Sequence, residues 1–288
     1  MQKVDAISAV FAAMQQIKTG APAYCTNFFP TPQKLQRWID QGELFLVSSP
    51  GAAFFFKMDR EFRRIYFCAA DRDALRRQFM SLNAVKTKPM VIDMLEYEST
   101  PDGLLPLVES IGFRRYAQLC RLARPGSAHL PSSPSADRQP VYAVQEDVQG
   151  IFDILDSSFD RYAEQLPKLS EIEMVVENRQ VLILKHDQTI AGLLFFETQG
   201  AASTIRYWLV AEKFRALHYG SALMRAYLAA HGTTRRFTLW AMADNEPALQ
   251  KYRHYGYTPD RLTDHVLVNE MIRHEISRRN TEGNPPGI

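Results

Sequence analysis

Val210-Ala-Glu-Lys-Phe-Arg215-Ala216-Leu-His218-Tyr219-Gly220-Ser221-Ala-Leu-Met decides the reading of this 288-residue chain. It follows an apolar run predicted as a strand, residues 205–210, and opens a predicted helix over residues 221–230. A strand, a turn holding one glycine and a helix start leave several backbone N–H groups without intrahelical partners. Free donors and the positive end of the helix dipole coincide there, so the turn is suited to an anion. Arg215 adds a fixed positive charge. Taken alone, the segment reads equally as an ordinary strand-to-helix loop.

A second segment tips that balance. Residues 237–242 read as a strand that runs into Asp244-Asn245-Glu-Pro247-Ala248-Leu-Gln-Lys-Tyr252-Arg-His-Tyr255-Gly256-Tyr257. Asp244 or Asn245 suits a helix N-cap and Pro247 its first turn. Gly256 suits the left-handed position just past the helix end. Ala248, Tyr252 and Tyr255 share one helical face through their i, i+4, i+7 spacing. Standing alone, Tyr252 reads as a half-buried core tyrosine.

Together the two segments resemble the GNAT superfamily of acyl-CoA-dependent N-acyltransferases. The family pattern, Arg/Gln-x-x-Gly-x-Gly/Ala, is met by Arg215-x-x-His218-x-Gly220, with His218 where the family has its first glycine. Its later Asn, Ala-x-x-x-Tyr-x-x-x-Gly-Phe is met by Asn245, Ala248, Tyr252, Gly256 and Tyr257. The resemblance covers roughly residues 141–270. It implies a mixed, mostly antiparallel α/β sheet flanked by helices, and acetyl-CoA or another acyl-CoA as donor. It places the pyrophosphate at Arg215, Ala216, His218, Tyr219, Gly220 and Ser221, with Asn245 also lining the cofactor site. Leu209 and Val210 hold the pantetheine through backbone bonds, as if it were an added strand.

The resemblance also assigns roles in the chemistry. Tyr252 protonates or hydrogen-bonds the leaving thiolate. The family often carries a glutamate base on the strand before the phosphate loop, and that position is Arg206 here. Glu197 is the replacement, with Asp160 and a water chain as rivals. Phe159, Asp160 and Tyr162 lie in the segment the family sets over the acceptor, and suit an amine of a small molecule or peptide. Arg235 and Arg236 suit the 3′-phosphate of CoA or, as readily, a solvated turn.

Composition bounds the function classes. Net charge is +2, too near neutral for a nucleic-acid partner. No apolar run approaches the ~20 residues of a membrane helix. Cys25, Cys68 and Cys120 lack metal-ligand spacing and read as free thiols in a reducing cytoplasm, with no metal expected. The chain is read as a monomer or homodimer. Near the N-terminus Val4, Ile7, Val10, Phe11 and Met14 form the predicted inward face of an amphipathic helix.

The organisation expected is a tandem. Residues 1–124 form a worn copy of the domain, 125–140 a Pro/Ser-rich linker, 141–276 the catalytic domain and 277–288 a flexible tail. In the first half, strands at 44–48, 53–58 and 64–69 precede a helix at 73–82, a strand at 90–95 and a helix at 104–110. Gly112-Phe113 and Gly256-Tyr257 occupy equivalent places, 144 residues apart. No glycine occurs between Ala52 and Asp102, and Asp71 and Asp73 stand where the phosphate turn would be. Carboxylates at that helix start repel a pyrophosphate. Val108 stands at the place of Tyr252 and carries no proton to transfer. A catalytically weak acyl-CoA-binding or scaffolding protein is the competing reading. An aminoacyl-tRNA-dependent peptide-bond former, which also uses doubled folds, is disfavoured by the charge and the phosphate loop.

Overall fold

The computed structural model describes residues 1–82, 87–98, 103–128 and 137–281. The chain packs as two compact units, neither of them a continuous segment. The first joins Met1–Gln118 to the chain from Thr263, and the second is Leu119–Leu262. Each is a mixed sheet with helical cover, the α/β class expected. The tandem boundaries expected at 124 and 141 differ from these lines because strands are shared out between the halves of the sequence.

In the first unit β1 (Gln2–Lys3), β3 (Leu44–Ser49), β4 (Ala52–Asp59) and β5 (Phe62–Ala69) pair antiparallel in that order. Helix α1 (Ile7–Lys18), β2 (Cys25–Thr26) and α2 (Pro32–Asp40) come between β1 and β3 in the chain. Helix α3 (Arg72–Ser81) then leads to β6 (Met90–Tyr97), parallel to β5, and α4 (Leu105–Ser110) leads to β7 (Phe113–Pro125). Asp71 caps α3, its carboxylate accepting the Ala74 N–H at 2.7 Å. The run Ala52 to Phe56 is buried at every position, which demands cover on both faces. Ala52, Phe54 and Phe56 meet Leu75, Phe79 and Val108, while Ala53 and Phe55 meet Val10, Leu35 and Trp38. The amphipathic helix forms, with Val10 and Ile17 buried, Ile7 and Met14 packed on the same core, and Val4 buried just ahead of it; Phe11, expected inside, is 42% exposed.

The parallel pairing of β5 and β6 lasts only three residue pairs and ends at Ile65–Ile92. Beyond that fork β2 lies on β5, with Cys25 opposite Ala69 and Thr26 opposite Cys68. Asn27 wedges the fork itself. Its side-chain N–H groups reach the carbonyls of Ile65 at 3.1 Å and Asp93 at 3.0 Å, and its Oδ1 accepts the Phe67 N–H at 2.7 Å.

The second unit repeats the plan. After β8 (Val141–Tyr142), α5 (Val148–Ser158) and α6 (Leu169–Glu177) come β9 (Val181–His186), β10 (Thr189–Gln199) and β11 (Ala202–Val210), an antiparallel meander. Helix α7 (Tyr219–Ala230), β12 (Arg236–Met242) parallel to β11, and α8 (Glu246–His254) follow. The strand closing β12 is the far half of β7, paired antiparallel from Leu119 to Pro125. In the first unit β6 is flanked by β13 (Thr258–Asn269), where Asn269 accepts the Met90 N–H at 3.1 Å and donates to the Lys88 carbonyl at 2.7 Å. Each unit thus takes a strand from the other half of the sequence. A cut in the 125–140 segment would strip both.

Of that expected linker, 129–136 lie outside the described residues. The strand β7 reaches Pro125, and the Gly126 N–H bonds the Arg235 carbonyl at 2.8 Å. A last helix, α9 (Glu270–Thr281), runs through the first five residues of the expected tail; 282–288 lie outside the described residues. Among the described residues no helix is long and apolar enough to cross a membrane.

Candidate active site

The site grows from a second fork. Strands β11 and β12 pair in parallel from Ala202–Arg236 to Ile205–Leu239 and no further. Beyond it β11 stays paired with β10 to Val210, and β12 with β7 to Met242. The cause of the divergence is a bulge. The β10–β11 register slips so that Phe195 faces Tyr207 and Phe196 faces Ile205, leaving Arg206 extra. One inserted residue flips the alternation, so Ile205 and Trp208 share one core while Tyr207 joins the other.

Past the bulge, backbone direction follows from one bond. The Ala211 N–H points at β10, to the Ala191 carbonyl at 2.9 Å. By alternation Leu209 also turns its polar groups to β10, where its carbonyl oxygen lies 3.1 Å from the position a Cβ on Gly192 would take. Trp208 and Val210 therefore turn their N–H and C=O groups into the fork. Of the two residues expected to bond a pantetheine, Val210 turns its backbone polar groups into the fork, as Trp208 does, and Leu209 turns its own toward β10.

The turn after β11 coils as a short 3₁₀ segment, Glu212–Leu217, and reverses at His218. His218 takes φ +59°, a left-handed conformation that explains why glycine is at home there. The first helical bond of α7 is Ala222 N–H to the His218 carbonyl at 3.1 Å. Among the described residues the amides of Tyr219, Gly220 and Ser221 have no acceptor. Arg215, Ala216 and His218 are exposed around them, and Arg215 has no ion-pair partner among the described residues. Tyr219 contributes only its amide to this surface, since its ring is fully buried and its hydroxyl meets His186 Nδ1 at 2.9 Å. That contact pins the helix start to the β9–β10 hairpin. A Cβ on Gly220 would lie 3.3 Å from Trp208 Cζ2 and 3.5 Å from Val210 Cγ2, so glycine lets α7 sit close on β11.

On the other arm of the fork, Asn245 caps α8, its Oδ1 accepting the Ala248 N–H at 3.2 Å. Gly256 takes φ +82° beyond the helix, as its position demands. Tyr252 is 9% exposed and packs on Trp208 at 5.5 Å and Tyr257 at 6.2 Å. Its hydroxyl makes no hydrogen bond among the described residues. Burial, and next the carboxyl of Glu164, push the phenol above its ordinary value, so it stays protonated at neutral pH.

The remaining expected residues separate. Glu197 sits at the exposed end of β10, 3.8 Å from the Arg206 guanidinium. Asp160 holds the α5–α6 connector, its Oδ1 accepting the N–H groups of Tyr162 and Ala163 at 2.8 Å each. Tyr162 is buried, and Phe159 packs edge-on against Tyr207 at 5.1 Å. Arg236 is taken by Asp260 at 2.6 Å, which also accepts from Arg121 at 2.7 Å. Glu164, absent from the sequence reading, is the carboxyl whose charge acts on the Tyr252 phenol. No local spacing signals it, because the two are joined only by folding. Among the described residues no cluster of His, Cys, Asp and Glu could hold a metal ion.

Residues 148–257 match the family model described as acetyltransferase (GNAT) family. No curated protein matches the chain. Among solved structures, a GCN5-related N-acetyltransferase from Sphaerobacter thermophilus is similar at 13% identity and TM-score 0.55, over 91% of each chain. One from Kribbella flavida shares 15% identity and TM-score 0.55, over 92% of this chain and 96% of its own. A tandem GNAT protein from the clavulanic acid biosynthesis pathway shares 12% identity at TM-score 0.52, over 76% of this chain and 78% of its own. At these identities the likeness is one of fold, and it extends through both units. With the motif residues gathered on one turn and one fork, residues 148–257 form an acetyltransferase domain of the GNAT family.

Proposed function

We propose that the second unit transfers an acyl group from acyl-CoA, acetyl-CoA being the simplest donor, to an amine of a small molecule or peptide. The observation that carries this is the fork. Two parallel strands part after Ile205–Leu239 and leave the polar groups of Trp208 and Val210 facing an opening, beside a helix start with free amides. An open strand edge suits the amide-bearing pantetheine arm, and the amides of Tyr219, Gly220 and Ser221 with Arg215 suit its pyrophosphate. Acyl-CoA would supply an activated thioester carbonyl at the fork. Tyr252, kept protonated by burial, is suited to give its proton to the departing sulfur. Thiols ionise near the cysteine value, so this assists departure without being obligatory.

One acyl-CoA per chain is expected. In the first unit the corresponding fork holds Asn27 and β2, and Asp71 caps the helix that follows. Calorimetry of the full chain with acetyl-CoA tests the reading, with Gly220→Asp as the comparison. That substitution sets a carboxylate against Trp208 and Val210 beside the free amides, and should weaken binding on the order of 10-fold or more. An unchanged affinity in a folded variant rejects the site. Binding without turnover on any amine favours a scaffolding role.

A further inference from the structure

We propose that the indole N–H of Trp208 donates a hydrogen bond to the bound acyl-CoA, an inference that rests on the acyl-transfer reading above. The chain carries its own template of an occupied fork. In both units the parallel pairing ends on an isoleucine, at Ile65–Ile92 and at Ile205–Leu239. A tyrosine and a second aromatic residue follow: Tyr66 and Phe67 in the first unit, Tyr207 and Trp208, after the Arg206 bulge, in the second. Tyr66 and Tyr207 each turn to one core of their unit, and Phe67 and Trp208 to the other. Phe67 and Trp208 therefore hold the same place at the two forks.

The chain itself fills the first fork. The Phe67 N–H donates to Asn27 Oδ1 at 2.7 Å, and the Phe67 carbonyl accepts the Thr26 hydroxyl at 2.6 Å. At the second fork the backbone groups of Trp208 meet an opening instead, and the side chain differs in one respect. The Phe67 ring is all hydrocarbon, whereas the Trp208 ring carries an N–H, which can only donate. Trp208 Nε1 is buried and has no hydrogen-bond partner among the described residues. A buried donor left unmade is costly and calls for an acceptor. The orphaned donor thus stands at the fork that is open, and its counterpart at the filled fork has none to satisfy.

The ring is held where that donor is of use. Tyr252 and Tyr255 of α8 pack on it at 5.5 and 5.9 Å. On the side of α7, Cζ2 and Cε2 lie 3.3 and 3.7 Å from the place of a Cβ on Gly220. Nε1 is bonded to Cε2, so the N–H sits at the first turn of α7. The amides of Tyr219, Gly220 and Ser221 in that turn also have no acceptor among the described residues. Donors that converge without an acceptor suit a ligand rich in oxygen. Acyl-CoA brings phosphate and amide carbonyl oxygens to such a turn.

Indole N–H signals in nitrogen-15 spectra of the full chain test the bond without turnover. The chain has three tryptophans, Trp38, Trp208 and Trp240, and the signal lost in Trp208→Phe is that of Trp208. If that variant fails to fold, Trp38→Phe and Trp240→Phe identify the signal by elimination. Saturating CoA should move the Trp208 proton downfield, as a hydrogen bond to oxygen does. Trp208→Phe keeps an aromatic ring at the fork, as Phe67 does in the first unit, and removes only the donor. Calorimetry should show it binding CoA roughly 10-fold or more weakly than the wild type. A Trp208 signal that stays in place while the wild type binds CoA overturns the role of Trp208 alone, and so does a folded Trp208→Phe of unaltered affinity. A wild type that binds no CoA overturns the acyl-transfer reading, and this bond with it.

Discussion

Replacing Asn27 by alanine should cost the first unit about 3 kcal/mol, a figure that follows from what its side chain holds. Asn27 is 5% exposed and satisfies three backbone groups at once: the carbonyls of Ile65 and Asp93, and the N–H of Phe67. Each such hydrogen bond contributes about 1 kcal/mol net, and a buried group left unpaired costs at least that. In a domain of this size 1 kcal/mol moves the melting point by about 2–4 °C, so the transition of this unit should fall by about 6–12 °C. Scanning calorimetry of the full chain reads the shift. Hydrogen exchange of the Phe67 amide reads the cause, since its acceptor is lost. Asn27→Asp should be worse than alanine, because it sets a carboxylate against two carbonyl oxygens in a buried fork. A loss under about 1 kcal/mol with the Phe67 amide still protected would falsify the wedge.

Other expectations concern the second unit. Tyr252→Phe keeps the ring on Trp208 and removes the proton, so kcat should drop roughly 10²-fold with little change in KM for acyl-CoA. Full kcat with an unaltered melt would reduce Tyr252 to a core residue. His218→Gly relieves a left-handed side chain and should raise stability by about 1 kcal/mol in thermal melts; a loss of stability would contradict the turn described. Glu164 binds its proton more tightly folded than unfolded, so the stability this proton contributes is present below the unfolded value and is lost as pH rises through about 7. Glu164→Gln, which imitates the protonated form, should therefore gain on the wild type as pH rises from 5 to 8 in denaturant titrations. An equal pH dependence in both proteins would argue against the raised carboxyl.

Much of the second unit was legible in the sequence because its signals are local. Asn245, Pro247 and Gly256 bracket α8 through bonds that span a few residues, and each occupies the cap, first-turn or left-handed position that its type favours. The strand, single-glycine turn and helix that leave free amides at Tyr219 to Ser221 are written the same way, and so is the Asp71 cap that marks the first unit as different. Even His218 was visible as a departure, although only the backbone angle shows that the turn accepts it at a strain of about 1 kcal/mol.

Tertiary structure decided what no local period records. Strand identity does not name a partner, since any exposed edge offers the same N–H and C=O ladder. The sharing of β7 and β13 between units, and the occupation of the first fork by Cys25 to Asn27, therefore lay beyond the sequence. The bulge at Arg206 chose which backbone groups of β11 face the fork, those of Trp208 and Val210 and not those of Leu209. Glu164 carries no motif, and its carboxyl is unusual only because folding removes water from it and brings the charges of Asp160 and Arg206 to bear on it. Burial and Coulomb interaction depend on distance in space, and a sequence lists only distance along the chain.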